Sequence, residues 1–413
     1  MNRVKLSDIA SFNARNADYK GKFETISYID TSAVTEGIFD EAVVYQVGRD
    51  SIPSRAQRAV EDGTILVSTV RPNLKHYGIL RNPSENTVAS TGFVTLDAKP
   101  GIVDADYLYY LVTSPAVQSY LEKVSASATS SYPSFNPADL ETLEVSCHGS
   151  LSEQKRTAGV LRSLDAAIAN NSSICTDLDA AAKLLYDYWF VQFDFPDENG
   201  KPYKSSGGKM VWNEELKREI PAGWKAGSLS DVLNRYCDTI GDDCKSDLPY
   251  TPLDLLPCHS MSFSPTGDNA GANSSLIKYD KYTLLFGAMR PYFHKVCIAP
   301  CDAITRSTVF TFHSNEDELG YAYETLNQDY CVKYATMHSV GTQQPYAEWE
   351  GNFENCPIPL PPKQLRVEFS TIIHPLIEAV IDNQLLNGEM KRIRDFLLPL
   401  LMNGQVTIED GSE

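Results

Sequence analysis

Two stretches of the chain carry the same apolar stripe at coiled-coil spacing, and no other feature restricts the fold as much. In the first, Leu161, Leu164, Ile168, Asn171, Cys175, Leu178, Ala182, Leu185 and Trp189 alternate steps of three and four residues, with no Pro or Gly after Gly159. In the second, Ile373, Leu376, Val380, Asn383, Asn387, Met390, Arg394, Leu397 and Leu401 repeat the stripe at an offset of 212 residues. This alternation holds one face of a helix towards a partner instead of letting it drift around the surface. A helix from Leu151 to Trp189, roughly 39 residues, would be about 58 Å long, far beyond the ordinary globular helix. It needs support along its length, and the second stretch is the one comparable helix, so the two are predicted to pair antiparallel within one molecule. Asn171 and Asn383 hold equivalent positions, where a buried amide would fix the register. Pro375 and Gly388 fall inside the second stretch and predict a kink or a shorter helix there.

The rest of the chain repeats as well. Thr64-Ile65-Leu66-Val67-Ser68-Thr69-Val70-Arg71-Pro72 corresponds to Thr283-Leu284-Leu285-Phe286-Gly287-Ala288-Met289-Arg290-Pro291 at an offset of 219. Tyr107-Leu108-Tyr109 is answered by Tyr321-Ala322-Tyr323, and the loop Thr129 to Pro133 by Thr342 to Pro345. Short β-like runs (25–28, 41–47, 64–70, 78–80, 92–96) precede helix-spaced apolars over 106–121. Each half then passes through a short strand, Leu143–Val145 or Ile358–Leu360, to a Gln at the start of its long helix. The reading is an α+β chain with two duplicated mixed α/β domains, separated by two long helices that form an intramolecular antiparallel coiled coil. The order is a domain over 1–150, a helix over 151–196, a Pro-, Gly- and Lys-rich linker with aromatic anchors over 197–221, a domain over 222–360 and a helix over 361–413. Approximate two-fold symmetry of this kind suits a dyad-symmetric duplex.

Composition narrows the function. The content of 42% hydrophobic and 22% charged residues is that of a globular chain, and no apolar run approaches the ~18 to 20 residues of a membrane span. With no secretory signal and an odd nine cysteines at irregular spacing, the expectation is a cytoplasmic protein with reduced thiols and no membrane association. Cys297 and Cys301, with His294 and Cys258-His259, lack the spacing of a zinc site, so no metal is expected. The net charge of −18, with no basic segment, means that any DNA contact must rest on local clusters and be salt-sensitive. No phosphate-binding Gly-rich loop, zinc-protease motif or nucleophile elbow is present. Asn136-Pro137-Ala138-Asp139 lacks the second Pro and the aromatic residue of a DNA adenine methyltransferase motif.

Several passages resemble the specificity subunit of Type I restriction-modification systems. They are Leu184-Leu185-Tyr186-Asp187-Tyr188-Trp189-Phe190-Val191-Gln192-Phe193-Asp194-Phe195-Pro196, Gly208-Lys209-Met210-Val211-Trp212 with Ile220-Pro221-Ala222-Gly223-Trp224, Ile358-Pro359-Leu360-Pro361-Pro362-Lys363-Gln364, and Leu397-Leu398-Pro399-Leu400-Leu401-Met402-Asn403-Gly404. The resemblance covers essentially the whole chain. It implies two target recognition domains that each read half of a bipartite site on double-stranded DNA, with helical spacers that set the gap. It also implies docking of two methyltransferase subunits and of restriction subunits. The chain itself would be non-catalytic and hold no cofactor, S-adenosylmethionine, ATP and Mg belonging to the partners. The alternatives are a single-chain DNA-modifying enzyme and a coiled-coil scaffold that does not bind DNA.

Phosphates are contacted by Arg, Lys or backbone amides, and bases by side chains that fork or carry amides. The candidates in the first domain are Arg49, Arg55, Arg58, Arg71, Lys75, His76, Ser130 and Tyr132. Those in the second are Arg290, His294, Lys295, Gln343, Gln344 and Tyr346. Arg71-Pro72 and Arg290-Pro291 stand out because both directly follow a β-like run at matched places, on loops that a rigid sheet can aim.

Overall fold

The run Thr64 to Val70 forms the strand Ile65–Ser68, whose four residues are all buried. In the computed structural model, which describes residues 1–127, 133–240, 248–265 and 276–408, the chain divides into two units. The first comprises Met1–Ala166 with Arg392–Glu413 and the second Ala167–Lys391. This division cuts each long helix, because each helical portion shares a core with the sheets it packs on.

In the first unit Ile65–Ser68 lies inside a four-stranded sheet in the order Ala10–Phe12, Phe93–Ala98, Ile65–Ser68, Tyr77–Ile79. Ile65 faces Ile79 and Val67 faces Tyr77 across one antiparallel edge, and Val94 faces Val67 across the other. Ile65 and Val67 enter one core and Leu66 another, so both faces of the sheet are covered and the run is continuously apolar instead of alternating. A second sheet runs Val43–Gln46, Thr25–Ile29, Thr87–Ser90, Ala56–Ala59. The helices Ala105–Val112 and Pro115–Ala126 follow, with Asp104 capping the first by accepting from the Tyr107 amide at 3.1 Å. The strand Asn2–Lys5 pairs with Glu144–Cys147, which leads into the first long helix.

The second unit repeats this plan. Its sheet runs Asn234–Tyr236, Val309–His313, Leu284–Gly287, Val296–Ile298, in the same connectivity, with Leu284 facing Ile298 and Phe286 facing Val296. The helices Leu319–Leu326 and Asp329–Met337 follow, and Lys225–Ser228 pairs with Pro357–Leu360 before the second long helix. Its smaller sheet has three strands, Asp238–Ile240, Leu276–Tyr279 and Ala303–Arg306.

The long helices span Leu151–Tyr186 and Lys363–Met402. Within the second unit they run antiparallel: Asn387 donates to Ser172 Oγ at 3.2 Å, Cys175 to Val380 O at 3.8 Å, and the Tyr186 and Phe369 rings are 5.8 Å apart. Within the first unit Arg394 donates to Asp165 at 2.9 Å, and Leu161, Leu398, Leu401 and Met402 share one core. Seam positions seven apart are the deepest, Arg394 excepted as half-buried: Leu161, Ile168, Cys175, Ala182 and Trp189 are buried, as are Ile373, Val380, Asn387 and Leu401. The alternate positions Leu164, Asn171, Leu178, Leu185, Leu376, Asn383, Met390 and Leu397 are half-buried. In the second helix Phe369, Ile377 and Ile381 are fully buried beside the seam, so the apolar face is wider than a two-position stripe.

Three expectations are corrected. The buried amide is Asn387 and not Asn171 or Asn383; Asn383 donates to Ala379 O in its own helix at 2.7 Å. The second helix is not the shorter one, at 40 residues against 36 for the first, and it runs without interruption through Pro375 and Gly388. Pro375 sits on its exposed face. The segment 197–221 is not an open linker. Met210–Asn213 pairs with Arg218–Pro221 in a hairpin, and Phe195, Tyr203 and Trp224 stack with ring spacings of 4.7 and 5.4 Å. A wider π turn over Asp187–Val191 ends the first helix and lets both Trp189 and Phe190 reach Phe369, at 5.7 and 5.1 Å. Among the described residues no helix is long and apolar enough to cross a membrane.

Candidate nucleic-acid interface

The matched Arg-Pro dipeptides fold into the same turn. After Ile65–Ser68, Arg71 takes a left-handed conformation (φ 50°, ψ 62°), Pro72–Leu74 form one 3-10 turn, and Lys75 is left-handed again (φ 56°, ψ 37°). After Leu284–Gly287, Arg290 (φ 52°, ψ 59°), Pro291–Phe293 and His294 (φ 52°, ψ 55°) repeat the sequence of conformations. The proline fixes its own φ for the 3-10 turn and lacks an amide that would need a partner. A non-glycine residue at positive φ is uncommon, and two in one turn, twice in one chain, amount to strain held by the surroundings.

Those surroundings are matched bond for bond. The Arg71 amide donates to Pro133 O at 2.8 Å and the Arg290 amide to Pro345 O at 2.7 Å. Ser68 donates to His76 O and Gly287 to Lys295 O, both at 2.8 Å. Thr69 donates to Gly92 O and Ala288 to Thr308 O, both at 2.9 Å. The Val70–Ser134 and Met289–Tyr346 bridges tie each turn to the following loop. In each unit a sheet end, a strained turn and a second loop are therefore locked into one rigid edge.

The candidate side chains differ in what they can reach. Arg49, Arg55, Arg71, Lys75, Gln343 and Gln344 are exposed; Arg58, His76, Arg290, Lys295 and Tyr346 are half-buried. Gln343 and Gln344 directly precede Pro345, whose carbonyl holds Arg290, so the structure brings these three together. Tyr346 is pinned by its hydroxyl, which donates to Ser307 O at 2.7 Å. Arg55 O accepts from the Thr91 amide at 2.8 Å, beside Gly92, whose carbonyl supports the turn through Thr69. Arg49 follows one edge strand of the second sheet, Val43–Gln46, and Arg58 lies on the opposite edge, Ala56–Ala59. Ser130 and Tyr132 fall outside the described residues.

Four candidates serve the turns' own structure. His294 is buried, its Nε2 3.0 Å from Asn327 O and 2.9 Å from Asn327 Oδ1, and burial lowers its pKa, so a neutral ring clamps the turn from behind. The candidate DNA contact at His294 thus has its buried ring against Asn327. Lys295 Nζ donates to Leu253 O at 2.9 Å. His76 Nδ1 lies 2.7 Å from Val34 O, and Lys75 Nζ donates to Glu36 at 2.5 Å. These two hold the hairpin Val34–Phe39 against the first turn and spend part of its positive charge.

Residue-type reasoning passed over Tyr292 and Phe293, which stand 51% and 46% exposed at the tip of the second turn with rings 4.8 Å apart. Their place between the matched Arg-Pro and the clamp was the available signal. Among the described residues no three or more His, Cys, Asp or Glu side chains are grouped to hold a metal ion.

No protein-family model matches the chain. Its curated relatives include the Type I restriction enzyme MjaIX specificity subunit of Methanocaldococcus jannaschii, 26% identical over 362 residues, 86% of this chain and 80% of the relative. The Type I restriction enzyme HindI specificity subunit of Haemophilus influenzae is 22% identical over 97% of this chain and 98% of its own length. Among solved structures, the Type-I restriction-modification system S subunit from M. genitalium covers 100% of this chain and 96% of its own, with a TM-score of 0.53 at 15% identity.

Proposed function

We propose that this relative of Type I restriction specificity subunits is itself the DNA-recognition subunit of such a system. It reads a bipartite double-stranded site with two domains, 1–150 and 222–360. The observation that carries the reading is the pair of strained turns, Arg71–Lys75 and Arg290–His294, built alike at the same place in two duplicated units. Duplication of a sheet core explains itself by stability. Duplication of two left-handed residues and their supporting bonds costs stability twice, and is accounted for when each turn aims an arginine at a ligand with a repeated backbone.

In this reading Arg71 and Arg290 approach the duplex with Gln343 and Gln344 beside the second turn, amide side chains suited to adenine edges. Arg49, Arg55 and Arg58 supply further positive charge on the first domain. The chain performs no chemistry. It docks two methyltransferase subunits and restriction subunits, which bring S-adenosylmethionine, ATP and Mg. Exposed apolar side chains on the long helices, Leu184, Ile372 and Leu386 in one unit and Ile393 and Phe396 in the other, support protein partners there. The spacer helices set the gap between half-sites.

The test is a gel shift of the chain with its partner methyltransferase on duplexes of varied sequence, over a range of salt. The expected result is a shift confined to duplexes that carry one bipartite motif, weakening steeply with salt. A shift indifferent to sequence, or none with the assembled complex, would refute the reading.

A further inference from the structure

Behind each strained turn lies a cavity, of about 350 Å³ in the first unit and about 370 Å³ in the second. The two occupy matched places, since Tyr109, Tyr110 and Thr113 line the first and Tyr323, Glu324 and Asn327, each 214 residues on, line the second. Their charges are arranged differently. In the first, the carboxylate Asp165 accepts from the Tyr110 hydroxyl at 2.6 Å and from the Arg394 guanidinium at 2.9 Å, so the protein supplies its own organic cation. In the second, Glu324 takes the tyrosine's place and Asp179 is the helix carboxylate.

Glu324 is only 1% exposed, and its Oε2 has no hydrogen-bond partner. Asp179 accepts from the Met261 amide at 3.0 Å through Oδ2, while Oδ1 has no partner. Among the described residues neither carboxylate has a lysine or arginine within ion-pair distance. Lys183 lines the same cavity, but its Nζ is drawn 3.5 Å from Asp187. Burial raises the pKa of Glu324 to about 8, with Lys183 offsetting only part of the rise, and that of Asp179 to about 6, so the charges of both carboxylates are poorly compensated.

We propose that the second cavity binds a small aliphatic ammonium ligand, a di- or polyamine, seated between Asp179 and Glu324. A bare divalent ion is the poorer occupant, because no three His, Cys, Asp or Glu side chains converge among the described residues. An alkylammonium needs only acceptors, and Gln384 and the Tyr323 ring extend the wall beside the two carboxylates. The proposal is independent of the DNA-reading function.

The experiment is calorimetric titration of the full chain at pH 8.5 with putrescine and with spermidine, alongside thermal unfolding, with MgCl2 at matched ionic strength as control. The expected result is one saturable site for an amine, with an unfolding midpoint that rises with its concentration. Glu324→Gln and Asp179→Asn should each weaken binding at least about tenfold, the loss of one charge-assisted hydrogen bond, while Asp165→Asn leaves it unchanged. No heat of binding, an equal response to MgCl2, or undiminished binding in both second-unit variants would overturn the proposal. The wild-type titration alone decides the matter if either variant fails to fold.

Discussion

Replacing Arg71 and Arg290 by alanine and, separately, by glycine divides the cost of the turn from its use. Both substitutions remove the guanidinium with its contacts, so the difference between them isolates the backbone. At φ 50° and 52° a residue with a Cβ bears about 1–2 kcal/mol that glycine does not. Glycine returns about 0.5–1 kcal/mol through the greater freedom of its unfolded chain. The glycine variants should therefore be more stable than the alanine variants by about 0.75 kcal/mol at the centre of a range of about 0–1.5 kcal/mol, read as a higher urea midpoint at unchanged slope. In ordinary right-handed or extended backbone the order is reversed, with alanine the more stable by about 0.5–1 kcal/mol. That reversed order would refute the claim that the turns hold strain. DNA binding should fall alike in both variants at each position, by about 1–3 kcal/mol for a base contact, or with a salt slope reduced by about 1 for a phosphate contact. A glycine variant that binds as the wild type does would show that the arginine is not the reading group.

Two further outcomes follow from packing and charge in the second unit. Glu324, raised from an ordinary 4.5 to about 8, favours the protonated form in the fold, so its contribution is full below pH 4.5 and is lost as the pH rises through 8, by at most about 5 kcal/mol. Amine-free Glu324→Gln should gain on the wild type across that window in urea unfolding, whereas parallel pH profiles would contradict the burial of an uncompensated carboxylate. Gly388→Ala would place a Cβ 3.2 Å from Ser264 Cβ and closer still to its hydroxyl. Overpacking of about 1–3 kcal/mol should outweigh the ~1 kcal/mol that alanine gains in a helix, with recovery on adding Ser264→Gly; a plain stabilisation would mean that the loop yields.

The parts of the fold legible in the sequence were those set by local periodicity. The seam was readable because its alternation persists across several heptads, and the central strands because Ile65–Ser68 and Leu284–Gly287 are apolar runs buried on both faces. Strands such as Asn234–Tyr236 and Asp238–Ile240 were not, since half-exposed polar residues carry no pattern distinct from a loop. The Met210–Pro221 hairpin was hidden for the same reason, in composition that reads as a linker. The strained turns could be located because duplication marked Arg-Pro twice. What their flanking residues do could not be, because His294 answers to Asn327 and Lys75 to Glu36, partners brought close only by the tertiary fold. Glu324 was invisible as a site because it lies within the apolar helix Leu319–Leu326, and only the cavity shows its lack of a partner.

The most direct measurement is the modified DNA motif in cells that carry exchanged domains. When residues 1–150 are replaced by the corresponding region of a relative with a different target, the first half of the methylated motif should change and the second half stay as it was; exchange of 222–360 should do the converse. A motif that changes in both halves, or in neither, with a complex that still methylates DNA, would contradict the assignment of one reading domain to each half-site.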